Sequence, residues 1–274
     1  MITPLAQAAL DLAKQGGAVF PLHTVDDGKC SCAARDCERP GKHPRTRRGL
    51  HDASRNEAQV KQWWWQWPDA NVGLATGVAS GVVVLDIDGP KGAESIKALQ
   101  AKHGKLPKTP TARTGGGGWH LYFRHPGGLV RNSVKRLGDG LDVRGDGGYV
   151  VAPPSIHASG EAYRWATKAS PEVPTAELPA WLLGMLDVQK PTQGRGKPGA
   201  YYRDMMRDGI VNGNRNERLT SLAGYLLYRG VRRDVVLEVL LSVNAARCKP
   251  PLPEKQVDTI VWSVSRYHPE KESA

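Results

Sequence analysis

Residues 81–89 read GVVVLDIDG, a run of four apolar residues that closes on alternating Asp86, Ile87 and Asp88. β-Branched residues bounded by glycine predict a strand. Successive side chains of a strand point to opposite faces, so Asp86 and Asp88 share one face about 7 Å apart while Val83, Leu85 and Ile87 take the other. Two carboxylates at the end of an apolar strand repel each other unless a cation neutralises them, and a divalent metal ion supplies that charge. The competing reading ends the strand here and leaves both aspartates as solvated turn residues before Gly89-Pro90.

Further strand signals flank this stretch: NVGLATG (71–77) before it, and WHLYFR (119–124), GLDVRG (140–145) and GYVVAPPS (148–155) after it. Helical apolar spacing marks PLAQAALDLAKQGG (4–17), EAQVKQWWWQWP (57–68) and KGAESIKALQAKHG (91–104), and LPAWLLGML (178–186) closes the series. Strands mixed with connecting helices predict an α+β or α/β domain with one main sheet. The four tryptophans Trp63, Trp64, Trp65 and Trp67 point all round their helix, so at most one or two could stack on a base and the rest are packing.

Three features near the acidic strand could carry chemistry. Asp142, between Leu141 and Val143, is a third carboxylate that could complete a site for two Mg²⁺ or Mn²⁺ ions, which lower the pKa of an attacking hydroxyl and screen charge on phosphates. The glycines Gly115, Gly116, Gly117 and Gly118 would let backbone N–H groups approach a triphosphate without Cβ obstruction. His120, sharing a face with Tyr122 and Arg124 away from the expected core, could donate a hydrogen bond to a phosphate beside Arg113 and Thr114. Asp146, in a Gly-rich turn, reads as a turn former.

The order VVLDIDG, G-G-x-H-L-Y-F, LDVRGDGGYVVAPPS resembles the three motifs of the prim-pol branch of the archaeo-eukaryotic primase superfamily, over most of residues 15–170. The resemblance implies a catalytic domain with an RRM-like mixed sheet core. It also implies that Asp86, Asp88 and Asp142 are metal-binding catalytic carboxylates and that His120 contacts nucleotide phosphate. By the same resemblance Arg144 and Ser155 reach the nucleotide, with purely structural roles as the alternative. Many members carry Ser two residues before this histidine; here it is Gly118, so a backbone N–H would replace the hydroxyl. The C-terminal segments GNRNERLTSLAGYLL (213–227) and PPLPEKQVDTIVWSV (250–264) resemble the primase C-terminal helical domain, which implies a role in primer initiation or template engagement.

CSCAARDCERPGKHP (30–44) places Cys30, Cys32, Cys37 and His43 in one loop, a Cys₃His ligand set for structural zinc. Metal binding can order a loop that lacks a core. Some prim-pol domains carry zinc-binding inserts, and members often have Lys-x-Pro here, which makes Lys42 and Pro44 the constrained residues in an alternative reading.

A formal net charge of +11, with a basic excess in both halves, suits a polyanionic partner. No stretch approaches the roughly 20 apolar residues of a membrane span, and no signal-peptide order opens the chain, so a cytoplasmic location without membrane association is expected. Residues 1–186 are expected to form the catalytic domain and 187–205 an exposed Gly-, Pro- and Lys-rich linker. Residues 206–270 should form a small all-α bundle in which Arg215, Arg218, Arg232 and Arg233 are candidate phosphate contacts. The expected partners are single-stranded DNA template, nucleoside triphosphates and a replicative helicase in cis or in trans, since the chain shows no P-loop. The rival readings are a non-catalytic nucleic-acid-binding module and a metal-dependent nuclease; the His-hydrophobe-His motif of related endonucleases is absent, because Tyr122 follows His120.

Overall fold

The structure is a computed structural model that describes residues 2–167, 173–186, 188–189 and 199–265. The chain divides into two compact units, Met1–Pro191 and Thr192–Ala274. The class is α+β, as expected.

In the first unit, helix α1 (Pro4–Lys14) starts where the Thr3 hydroxyl accepts from the Ala6 N–H, with Pro4 in the first turn where a missing N–H costs nothing. Helix α2 (Glu57–Gln66) is capped by Asn56, whose side chain accepts from Ala58 and Gln59. It buries Trp63 and Trp64 and leaves Trp65 84% exposed, so the tryptophan run is chiefly packing. Helix α3 (Gly89–His103) leaves the acidic strand directly, and α4 (Ala180–Met185) is short.

One main sheet was expected; among the described residues a seven-stranded sheet is accompanied by a separate three-stranded one and by three two-stranded ribbons. The strands Val19–Leu22, Asn71–Ala75 and Tyr149–Ala152 form an antiparallel three-stranded sheet with Asn71–Ala75 at its centre. The larger sheet runs Arg164–Trp165, Thr111–Arg113, Trp119–Arg124, Val82–Ile87, Leu141–Arg144, Ser133–Val134 in antiparallel order. Ala176–Glu177 adds parallel to Trp119–Arg124, which makes it mixed. Every residue of Asn71–Ala75 is buried, so no polar alternation marks which sheet the strand joins.

Both faces of the larger sheet are covered. Val83, Leu85, Ile87, Phe123 and Leu141 pack with Ile96 of α3 and Leu182 of α4. On the opposite face Val84, Ala112 and Tyr122 join a core with α1, α2 and the smaller sheet. The His120 face is therefore largely a second core: Asp86 and His120 border a cleft at one end of it, and Arg124 is exposed at the other.

The second unit contains α5 (Gly199–Asp208), α6 (Arg215–Tyr228), α7 (Arg233–Arg247) and α8 (Glu254–Ser265). Leu219, Leu222, Val236, Leu240, Val257 and Val261 fill its core. Asn244, buried, donates to the Leu252 carbonyl and accepts from the Leu252 N–H, both at 2.8 Å, and so ties the proline-rich segment to α7. Residues 199–205, expected in the linker, stand in α5, where Tyr202 and Met205 are buried. Residues 187 and 190–198 of that linker lie outside the described residues. Among the described residues no helix is long and apolar enough to cross a membrane.

Candidate active site

Strand register aligns the acidic residues. Asp86 pairs with His120 on one neighbouring strand and with Asp142 on the other, and His120 pairs with Ala112 beyond it. Directly paired residues of adjacent strands project to the same face about 5 Å apart, so His120, Asp86 and Asp142 form one row. Asp88 follows the strand as the first residue before α3; its N–H donates to Gly140 O at 2.8 Å and its side chain makes no cap hydrogen bond. A Cβ on Gly140, whose φ is +69°, would meet the Asp88 carbonyl at 2.6 Å, so this close approach needs glycine.

Oxygens of Asp86, Asp88 and Asp142 lie within 4.8 Å of one another. His120 Nε2 is 3.4 Å from Asp86 Oδ1, and Arg144 reaches Asp142 Oδ2 at 2.8 Å and Asp86 Oδ2 at 3.6 Å. Burial would raise the Asp86 carboxyl, but His120, Arg144 and Lys42 outweigh it and hold Asp86 below its ordinary value. Asp88 moves the other way, raised by desolvation and by the charges of Asp86 and Asp142. These residues fit a hard divalent cation. The donors are all carboxylate oxygens, and Asp86 Oδ1 and His120 Nδ1 are buried atoms without a hydrogen-bond partner.

Asp86 and Asp88 border a cleft of about 620 Å³ that also takes in Thr114, Gly116, His120 and Arg144, and Asp142 stands just behind that lining. Its remaining walls hold residues that the strand and motif reading did not assign to it: Arg39 and Lys42 from the cysteine loop, Tyr149, His157 and Tyr163. These lie mostly on loops, where side-chain direction follows no period. Only the position of His157 directly behind the Pro153-Pro154-Ser155 turn hinted at it.

Other expected site residues fall elsewhere. Ser155 is fully buried, its hydroxyl accepts from the Val72 N–H at 2.8 Å, and it does not line the cleft. Its carbonyl accepts from the Tyr163 N–H at 2.8 Å, so it holds a cleft residue rather than forming the cleft. Arg113 is exposed on its strand, paired with Trp119 and Arg164, outside the cleft lining. Gly117 sits at the open loop tip. The Gly118 N–H, expected to face a phosphate, donates instead to Thr114 Oγ1 at 2.9 Å. Any Cβ at 118 would collide with the Ile87 carbonyl oxygen and stand 3.2 Å from Thr114 Oγ1. Thr114 thus occupies the room a serine at 118 would need. Asp146 is more than a turn former: it is buried, accepts from the Val78 and Val130 N–H groups at 3.0 and 2.8 Å, and faces His125 Nε2 at 3.1 Å.

The cysteine loop brings Cys30, Cys32, Cys37 and His43 ligand atoms within 4.8 Å of one another. His43 Nε2 lies 3.3 Å from Cys30 Sγ and 3.5 Å from Cys37 Sγ. Burial would raise the Cys30 thiol, yet N–H groups of Cys32 and Gly41 and the His43 ring lower it to about 6. Cys37 is raised, by desolvation and by the neighbouring Cys32 and Cys30 sulfurs. Three sulfurs and an imidazole gathered at one point suit a thiophilic cation such as zinc.

In the second unit Arg215 is engaged by Pro250 O and Asn212 Oδ1, at 2.6 and 2.7 Å. Arg218 lies over the Tyr201 ring, and Arg232 pairs with Asp234.

Asp86 and Asp88 on the sheet side, with Arg39, Lys42 and Arg144 outnumbering Glu38 on the remaining lining, define a cleft suited to a phosphate-bearing ligand met together with a divalent ion. A family model described as bifunctional DNA primase/polymerase, N-terminal, matches residues 9–181, and the chain belongs to that family. A second, primase C terminal 1, matches residues 205–270. The search of curated proteins returned no match.

Proposed function

We propose that the protein is a template-dependent DNA primase-polymerase that synthesises and extends primers on single-stranded DNA. The observation that carries this is the convergence of Asp86, Asp88 and Asp142 within 4.8 Å, with His120 against Asp86 and with Asp86, Asp88 and His120 lining a nucleotide-sized cleft. Two Mg²⁺ or Mn²⁺ ions on these carboxylates would activate the attacking 3′-hydroxyl and screen the triphosphate charge. Asp86, kept ionised by its neighbours, is the anchoring ligand. His120 is buried beside it, so its ring is held in place to donate to a phosphate oxygen. Arg144, now bridging Asp86 and Asp142, is a cation that can turn to the phosphates once metal replaces it between those carboxylates. Thr114 and Gly116 border the triphosphate from the glycine loop.

Residues 1–186 form the catalytic domain in this reading. The bundle of 206–270 engages the template during initiation, and a helicase in cis or in trans exposes that template. Structural zinc occupies the cysteine loop. The test is incubation with single-stranded template, Mn²⁺ and labelled ribo- or deoxyribonucleoside triphosphates. Template-directed products are expected from the parent, and none from the Asp86→Ala, Asp88→Ala double variant. Synthesis by that variant ends the proposal; shortened template identifies a nuclease, and template binding without incorporation a binding module.

A further inference from the structure

The cleft has one wall that neither sheet supplies. Arg39 and Lys42, from the cysteine loop, line the same cavity as Asp86, Asp88 and His120; Glu38 lines it from the same loop, which leaves that wall a net positive charge of one. Lys42 lies close enough to Asp86, Asp88 and His157 to act on all three electrostatically. Its backbone is tied down on several sides. Lys42 O accepts from the Tyr149 hydroxyl at 2.8 Å, Gly41 O from Asn71 Nδ2 at 2.9 Å, and the Lys42 N–H donates to Arg39 O at 3.1 Å.

The C-terminal side of the segment is thus anchored, and His43 and Arg45 add backbone hydrogen bonds to His23 and Pro21. Its N-terminal side has no such anchor: between Leu22 and Val60 no fully buried hydrophobic side chain stands in the core. What closes the segment that carries Arg39 and Lys42 on that side is the cluster of four ligands, with Cys37 two residues before Arg39 and His43 directly after Lys42. The N–H of Arg39 is directed at the Cys37 sulfur and that of Gly41 at the Cys30 sulfur, so the ligands and the two cationic residues share one backbone.

We propose that the Cys₃His loop is the phosphate-binding arm of the nucleotide cleft: metal on its four ligands holds Arg39 and Lys42 where they take the terminal phosphates of a nucleoside triphosphate. The inference rests on the polymerase reading of the site. A triphosphate is favoured over template because the two cations face the carboxylates across a single cavity of about 620 Å³, the size of one small ligand rather than a strand. Divalent ions at the carboxylates leave negative charge on the outer phosphates. A guanidinium and an ammonium at the mouth match that charge.

Equilibrium binding separates the possibilities. Fluorophore-labelled ATP, ADP and AMP are titrated with Mg²⁺ without template, and a labelled oligodeoxynucleotide is titrated in parallel. Lys42→Ala and Arg39→Ala are each expected to weaken ATP binding roughly 10- to 100-fold, the loss of one charged hydrogen bond, while AMP changes less than about threefold. Lys42→Arg should keep most of the affinity. Protein stripped of zinc, verified by elemental analysis, should show the same ATP-selective loss and recover when zinc is restored. Unchanged ATP affinity in Lys42→Ala, with the Asp86→Ala, Asp88→Ala variant losing Mg²⁺-dependent binding, overturns the arm and leaves the site reading intact. Absence of ATP binding by the parent overturns both. A loss confined to the oligonucleotide also overturns the arm and makes the loop a template contact.

Discussion

Asp88→Asn is expected to leave the metal-free protein slightly more stable than its parent while abolishing primer synthesis. The three carboxylates have oxygens within 4.8 Å; a like-charge pair at that distance repels by about 3.5 kcal/mol at an effective dielectric of 20 and about 0.9 kcal/mol in bulk water. Asp88 is exposed, so the lower figure applies to each of its two carboxylate partners, and Lys42 and His120 offset part of it. Opposing this, the N-terminus of α3 favours a carboxylate at Asp88 by about 0.3–1 kcal/mol. No side-chain cap bond is lost, because Asp88 makes none. The net is about 1 kcal/mol, or roughly 2–4 °C in Tm. Desolvation, Asp86 and Asp142 hold the Asp88 carboxyl above its ordinary 3.8. The parent's penalty is therefore full at neutral pH and disappears as the pH falls through that raised value to 3.8, and the advantage of the variant closes over the same interval. Thermal melts in chelator from pH 4 to 8, repeated with Mn²⁺, read both effects, since only a protein that binds the ion is stabilised by it. A variant that melts below its parent in chelator, or that keeps the parent's full Mn²⁺ shift, refutes the reasoning.

Asp146→Ala leaves one buried and one part-buried backbone N–H group and His125 without their acceptor and should cost about 3–5 kcal/mol in urea unfolding; a loss below 1 kcal/mol would count against it. Burial opposes ionisation of Asp146, but His125, Val78 and Val130 hold its carboxyl below 3.8. Its contribution is thus complete above 3.8 and lost as the pH falls through the depressed value, a slope that acid unfolding of the Asp146→Asn variant should lack. Gly118→Ser, which restores the residue common in the superfamily, should lower synthesis at least tenfold because its Cβ collides with the Ile87 carbonyl oxygen; parental activity would show that the loop gives way. Trp64→Ala, which removes a buried ring donating to Ala70 O, should cost about 3–5 kcal/mol, and Trp65→Ala less than about 0.5 kcal/mol. Equal losses in denaturant would contradict the assignment of the inner ring.

The local elements were legible because their signals are local. A period of two in VVVLDID, a period near 3.6 in ERLTSLAGYLL and proline or glycine at the ends require nothing beyond neighbouring residues. The order of Asp86, His120 and Asp142 along the chain already implied one site, and the spacing of three cysteines and a histidine implied another. Partnership between distant segments was not legible. Asn71–Ala75 is buried throughout, so its sequence carries no face preference, and packing against α1 and α2 drew it into a separate sheet. The same packing sealed the His120 face and turned Ser155 inward to Val72. It made Asp146 an internal anchor, and it carried Arg39, Lys42 and His157 to the cleft from loops whose side-chain directions no periodicity records. Sequence alone thus determined the elements and the residue types able to hold metal. Only tertiary structure decided which of them share a cavity, because that depends on burial and pairing between residues far apart in the chain.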